Sequence, residues 1–184
     1  MPLEFPQDPA CDTLDRQYML GDNLLVAPVF TPDGWVDYYL PAGRWTHFLT
    51  GQVLEGGRWQ RERHGFLGLP LLARPNSLVA VGARDDRPDY DFTNGVTLHL
   101  FELADGAEAA ALVPDVKGEP ALRVTAQRAG AVITVQAEGS AKGWKLLLRG
   151  VEKIQSVQGG QVEATKQGTL VTPSAGTDRL NITL

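Results

Sequence analysis

Gly21-Asp22-Asn23-Leu24-Leu25-Val26-Ala27-Pro28-Val29, followed by Leu40-Pro41-Ala42-Gly43-Arg44-Trp45, is the stretch on which the fold class turns. An unbroken Leu-Leu-Val-Ala run is apolar on both faces, the pattern of a strand in a parallel sheet covered on both sides. Parallel strands need long crossovers, usually helices, and the sequence shows none. From Trp35 onward apolar and polar residues alternate, with Val36, Tyr38 and Leu40 on one face of a strand and Pro41-Ala42-Gly43 supplying a turn. The expectation is one orphaned strand of a parallel α/β domain joined to a mostly antiparallel tail.

On the N-terminal side, Pro2, Pro6 and Pro9 block regular helix through Asp12. A short helix is expected from about Asp12 to Met19, capped by Asp12 or Thr13. On the C-terminal side, Leu78-Val79-Ala80-Val81 reads as a short buried strand, and Arg84-Asp85-Asp86-Arg87-Pro88-Asp89 breaks all periodicity and marks a domain boundary. Asn94-Gly95 is the strongest hairpin signal, and Asp105-Gly106 is expected to turn the next hairpin. Leu122, Val124 and Ala126 share a face, Val132-Ile133-Thr134-Val135 is a neighbouring strand, Trp144, Leu146 and Leu148 form another inner face, and Leu180, Ile182 and Leu184 close the chain. Many short strands without helical period argue for a sandwich or rolled sheet in the second half.

The 184 residues carry 20 Gly, 12 Pro and a net charge of −5, a composition suited to short strands and tight turns. Basic residues are scattered, so no phosphate-tracking patch forms and nucleic acid is not an expected partner. Arg58 to Arg63 is the densest basic group, and with Glu62 inside it reads as a solvated strand edge. No apolar run is long enough to span a membrane as a helix. Cys11 is the one cysteine. It cannot form an internal disulfide, sits in a Pro-Asp-rich connection, and suits a reducing, cytoplasmic compartment.

The segments Glu4-Phe5-Pro6-Gln7-Asp8-Pro9-Ala10-Cys11-Asp12, Asp15-Arg16-Gln17-Tyr18-Met19-Leu20-Gly21-Asp22-Asn23 and Val26-Ala27-Pro28-Val29-Phe30 resemble the last barrel strand of family 31 glycoside hydrolases, closest to the α-xylosidases. Leu40 to His47 and His64-Gly65-Phe66-Leu67-Gly68-Leu69-Pro70-Leu71-Leu72-Ala73-Arg74-Pro75-Asn76-Ser77-Leu78 are similar to the first β domain behind that barrel. The resemblance implies a mainly β chain of two consecutive antiparallel, sandwich-like domains preceded by a barrel remnant. Residues 1–27 would be that remnant and its lead-in, 28–87 the proximal β domain and 88–184 the distal β-sandwich domain. The family's catalytic aspartates lie on earlier barrel strands, so the resemblance implies no catalytic residue here.

The residues point the same way. Glycoside hydrolysis needs two carboxyl groups across the scissile bond, about 5 to 5.5 Å apart when configuration is retained. Asp12, Asp15 and Asp22 are the acids near Leu24-Ala27, and Asp22 precedes that strand, whereas catalytic groups of such barrels follow theirs. Asp22 with Asn23 reads as a turn cap, and Asp12 and Asp15 as acids complementing a helix start. His47, His64 and His99 lack paired spacing, so no metal site is expected. His47 and His64 read as structural hydrogen bonders, and His99 as facing solvent or an interface. Trp144 reads as core; Trp35, Trp45 and Trp59 stay open between core, interface and sugar-stacking roles. Gly56-Gly57 lacks the Lys and following helix of a phosphate loop, and no cofactor is implied.

Two functions compete. The first is a non-catalytic C-terminal region of a family 31 α-glycosidase, an enzyme that would remove terminal α-linked xylose or glucose, with the missing barrel as this region's partner and sugar reached only through it. The second is a stand-alone carbohydrate-binding β module. A weaker third is a pure assembly element. Leu24, Leu25 and Val26 must in any case find cover, from the first twenty-odd residues packing onto the β domains or from a second copy, or else be mobile.

Overall fold

The computed structural model describes residues 1–140 and 142–184. Among them regular structure is β-strand, apart from a single 3-10 turn at Pro9–Cys11. The chain divides into two compact units, Met1–Pro75 and Asn76–Leu184.

The first unit carries β1 (Tyr18–Leu20), β2 (Leu24–Val26), β3 (Trp35–Leu40), β4 (Arg44–His47), β5 (Val53–Glu55), β6 (Arg58–Arg63) and β7 (Leu71–Ala73). Five of these form a sheet in the order β1-β2-β7-β4-β5, while β3 and β6 pair as a two-stranded ribbon. β2 is antiparallel to both neighbours, Leu25 lying opposite Met19 on one side and Leu72 on the other. This corrects the reading of Leu24-Ala27 as an orphaned parallel strand. Leu25 and Val26 point to opposite faces and both are buried, so an interior antiparallel strand covered on both faces shows the same apolar run as a parallel one.

The helix expected from Asp12 to Met19 is absent. Asp8 Oδ1 accepts the Ala10 N–H and Pro9 opens a single 3-10 turn. From Gln17 the chain runs extended into β1, because the ladder to β2 and the Gln17 side chain both require it. Gln17 is buried; its Nε2 donates to Tyr39 O and its Oε1 accepts from Tyr39 N, each at 2.7 Å. One side-chain amide thus stands in for a strand partner at Tyr39 and satisfies two buried backbone groups. Phe5 packs against Trp45 with ring centroids 6.3 Å apart. Arg74 lies over both rings and its Nη1 is 2.7 Å from Glu4 Oε1. The first twenty residues cover the core, the first of the alternatives weighed from the sequence.

The second unit carries β8 (Ser77–Val81), β9 (Thr97–Phe101), β10 (Glu108–Pro114), β11 (Pro120–Ala129), β12 (Val132–Gly139), β13 (Lys145–Arg149), β14 (Ser156–Gln158), β15 (Gly160–Thr165), β16 (Gly168–Pro173) and β17 (Arg179–Thr183). One sheet runs β10-β11-β12-β17-β14 and the other β15-β16-β13-β9-β8. All pairs are antiparallel except β9 with β13. Leu122, Val124, Ala126, Leu180 and Ile182 from the first sheet share a core with Leu98, Leu100, Leu146, Leu148 and Val171 from the second, and Trp144 joins it. The inner faces read from alternation are the observed ones.

The boundary falls earlier than the charged run suggested. β8 pairs along its whole length with β9, from Ser77 opposite Phe101 to Val81 opposite Thr97, which assigns it to the second unit. The exposed Arg84–Asp89 run lies in the connection between these two paired strands. Asn94-Gly95 makes no tight hairpin: Gly95 has φ +74° and its N–H donates to Lys142 O at 2.8 Å, so the positive φ serves a turn tied to a distant segment. Asp105-Gly106 does turn the chain, but β9 and β10 lie in different sheets. Asp105 Oδ1 accepts from Gly130 N at 2.6 Å.

Leu25→Ala should lower unfolding stability by about 2–5 kcal/mol, and Gln17→Ala by about 1–3 kcal/mol through two unpaired backbone groups. Asp22→Ala, on an exposed turn, should stay within about 0.5 kcal/mol. Urea unfolding followed by tryptophan fluorescence checks all three.

Candidate functional site

The alternation of the β3–β6 ribbon sorts its side chains into two faces. Register places Val36 opposite Glu62, Tyr38 opposite Gln60 and Leu40 opposite Arg58, so Glu62 lies on the same face as buried Val36, Tyr38 and Leu40. His64, two residues beyond Glu62, continues that face. His64 is held by its N–H donating to Gly34 O at 2.9 Å. Gly34 has φ +80°, and a Cβ there would stand 2.2 Å from His64 O, so glycine is required on both counts.

Around Glu62 three side chains converge. The Tyr38 hydroxyl donates to Glu62 Oε1 at 2.5 Å. His64 Nε2 lies 2.7 Å from Glu62 Oε2, and His47 Nε2, at the end of β4, lies 3.9 Å from the same oxygen. The two imidazoles are near-parallel, with centroids 6.1 Å apart. Thr50 N–H donates weakly to His47 Nδ1 at 3.4 Å. Burial pushes His47 below the ordinary histidine range; the Glu62 charge opposes that and His64 adds to it. Burial, reinforced by the bond to Glu62, drives the Tyr38 phenol far above its usual value.

Beside this cluster runs a groove of about 690 Å3, lined by Pro28, Val29, Asp33, His64, Phe66 and Leu69 among others. Arg63 and Thr31 also line it; Phe66 in the lining is 109% exposed, and Leu67 and Phe30, each adjacent in sequence to lining residues, are 99% and 71% exposed. On the outer ribbon face, Arg61 covers the Trp35 ring at 5.1 Å, and Trp59, 60% exposed, meets Tyr39 edge-on at 5.8 Å.

Asp12, Asp15 and Asp22 all lie exposed on turns or irregular chain. Cys11 is buried, and burial followed by the Asp8 charge raises its thiol above the ordinary value, the setting of an inert side chain. Trp45 is buried with its indole N–H donating to Pro41 O at 2.9 Å, and Trp144 is core. His99 is buried, which corrects its expected exposure: β9 lies between β8 and β13, and its Nδ1 stands 3.2 Å from Arg149 Nη1. His47 and His64, which lack paired spacing in the sequence and read as structural hydrogen bonders, are brought by folding to one carboxylate. The available signal was Glu62-x-His64 on a strand, which puts both groups on one face; nothing in the sequence announces His47 as the third member.

Residues 1–79 match the family described as the glycosyl hydrolase family 31 C-terminal domain, and residues 91–184 the one described as the C-terminal domain of α-xylosidase YicI. The α-xylosidase XylQ of Lactiplantibacillus pentosus is 34% identical over 140 residues, 74% of this chain and 18% of that protein. An α-xylosidase of Emericella nidulans is 42% identical over 104 residues, 52% of this chain and 13% of that protein. The fold matches the cycloalternan-forming enzyme of Listeria monocytogenes with TM-score 0.79 at 21% identity, over 100% of this chain and 20% of that one. The chain spans about a fifth or less of the length of these relatives.

The His99 ring titrates at about 4, lowered by burial and then by the Arg149 charge. Above about pH 6.5 it is neutral in both folded and unfolded chains. Below that, the unfolded chain takes up a proton that the folded one refuses, so stability falls as pH drops from about 6.5 to about 4. The loss is at most about 3 kcal/mol, less for solvent screening. Urea midpoints across this range should fall more steeply for the wild-type chain than for His99→Gln.

Proposed function

The chain belongs to glycosyl hydrolase family 31, and from that membership we propose that it is a non-catalytic C-terminal region of an α-glycosidase, closest in kind to the α-xylosidases. Its role is mechanical: the first unit buttresses the catalytic barrel and steadies loops around the sugar site of an enzyme that removes terminal α-linked xylose or glucose. The carrying observation is the exposure of Phe30, Phe66 and Leu67, all in the two segments that line the groove. Large apolar side chains left exposed in neighbouring segments favour a covered partner face, and the barrel of the same enzyme is the proposed cover. Asp12, Asp15 and Asp22 lie exposed on turns or irregular chain, whereas hydrolysis needs two carboxyl groups facing each other across the scissile bond. The cytoplasm, where a lone buried thiol stays reduced, is the proposed compartment.

The purified chain should leave an aryl α-xyloside uncleaved. In the enzyme that carries it, Phe66→Ser with Leu67→Ser should lower the temperature of thermal inactivation while leaving the melting of the isolated chain unchanged. Turnover by the isolated chain that disappears on substituting Asp12, Asp15 or Asp22, or full thermal resistance of the doubly substituted enzyme, overturns the reading.

A second reading, sugar binding by the chain itself, has one observation behind it: Trp59 offers an exposed ring on the outer ribbon face. A flat apolar ring with a polar edge is suited to stacking on a pyranose. Titrating xylosides or α-glucans against tryptophan fluorescence, with Trp59→Ala as the comparison, tests it. Saturable quenching lost in that variant supports sugar binding, and no quenching removes it.

A further inference from the structure

We propose that His47, Glu62 and His64 form a zinc-class divalent metal site, with the two imidazole Nε2 atoms and Glu62 Oε2 as ligands and a solvent molecule as the fourth. The three donor atoms lie within 4.8 Å of one another. A tetrahedral ion with bonds near 2.0–2.2 Å holds its ligands about 3.3 Å apart. The separations of 2.7 Å from His64 to Glu62 and 3.9 Å from His47 to Glu62 fall on either side of that value. Small side-chain rotations therefore convert the hydrogen-bonded cluster into a coordination set.

The ligand chemistry selects the ion. Two imidazoles and one carboxylate suit zinc and its first-row neighbours, whereas calcium and magnesium prefer an all-oxygen shell. Three protein ligands with an open position are the pattern of a zinc ion that keeps an exchangeable water. The open side is supplied by the groove, since His64 is one of its lining residues. Only the His64–Glu62 side is partly open: side-chain exposure is 5% at His47, 25% at Glu62 and 14% at His64.

The supporting shell is in place. Tyr38 occupies Glu62 Oε1, which leaves Oε2 turned toward the two imidazoles, the outer-shell arrangement that orients metal ligands. The backbone of His64 is pinned to Gly34. On coordination His64 keeps a single ring proton on Nδ1: the neutral ring shifts its proton there through solvent, a doubly protonated ring releases the Nε2 proton to solvent, and Nε2 then donates its lone pair to the ion. The Thr50 N–H contact to His47 Nδ1, long at 3.4 Å, puts the ring proton on Nε2. Binding at Nε2 moves that proton through solvent to Nδ1, so the weak Thr50 contact is surrendered.

The test uses the tag-free 184-residue chain, stripped with chelator and titrated with zinc chloride by calorimetry. One zinc per chain is expected, with affinity reduced at least about tenfold in Glu62→Gln and in His64→Ala and unchanged in His99→Gln. Because the two ligand variants could lose structure, cobalt(II) is added to the unmodified chain as well. Intense visible d–d bands of a four-coordinate ion, displaced by zinc, are the expected spectrum. No stoichiometric binding, binding that survives in folded Glu62→Gln and His64→Ala chains, or a weak six-coordinate cobalt spectrum overturns the proposal.

Discussion

A single carboxylate joins the two layers of the first unit. Glu62 comes from the β3–β6 ribbon, takes a hydrogen bond from Tyr38 of that ribbon, pairs with His64, and lies within 4 Å of His47 on the facing five-stranded sheet. A partly buried carboxylate is costly unless such partners surround it. The ribbon therefore has a preferred seat on the sheet, with Glu62 over the end of β4. That seat also fixes the groove wall, because His64, Gly65, Phe66 and Gly68 follow directly from β6.

The second constraint is the closure of the apolar sheet by residues far away in sequence. Gln17 completes the hydrogen bonding of Tyr39, and Arg74 spans the Phe5 and Trp45 rings while pairing with Glu4. These contacts make residues 1–20 an integral part of the first unit. The segments that line the groove, by contrast, carry Phe30, Phe66 and Leu67, which the described residues leave bare. A unit closed so thoroughly on one side and open at that groove fits a module built to lie against another body, which is the reading proposed for its role in the enzyme.

Much was legible where a side chain's neighbours on the same strand determine its fate. The inner faces Leu122-Val124-Ala126, Trp144-Leu146-Leu148 and Val36-Tyr38-Leu40 all follow from period-two alternation and are all buried. The family resemblance was legible for the same local reason, in contiguous motifs such as Leu40 to His47 and His64 to Leu78. Legibility failed where two conformations share one pattern. Leu24-Leu25-Val26 is equally apolar in a parallel strand and in a doubly covered antiparallel one. Asn94-Gly95 supplies a positive φ whether or not the chain reverses there.

By itself, then, the sequence determined a mainly β chain with its apolar faces assigned, two β regions, and membership of a glycoside hydrolase family. Only the tertiary structure decided the partners across sheets: β8 with β9, Gln17 with Tyr39, and His47 with the Glu62–His64 pair. The physical reason is range. Alternation and turn chemistry act over a few residues, whereas the convergence of His47 on Glu62 depends on how a sheet and a ribbon pack, a choice set by the summed burial and hydrogen bonding of the whole unit and written in no single segment.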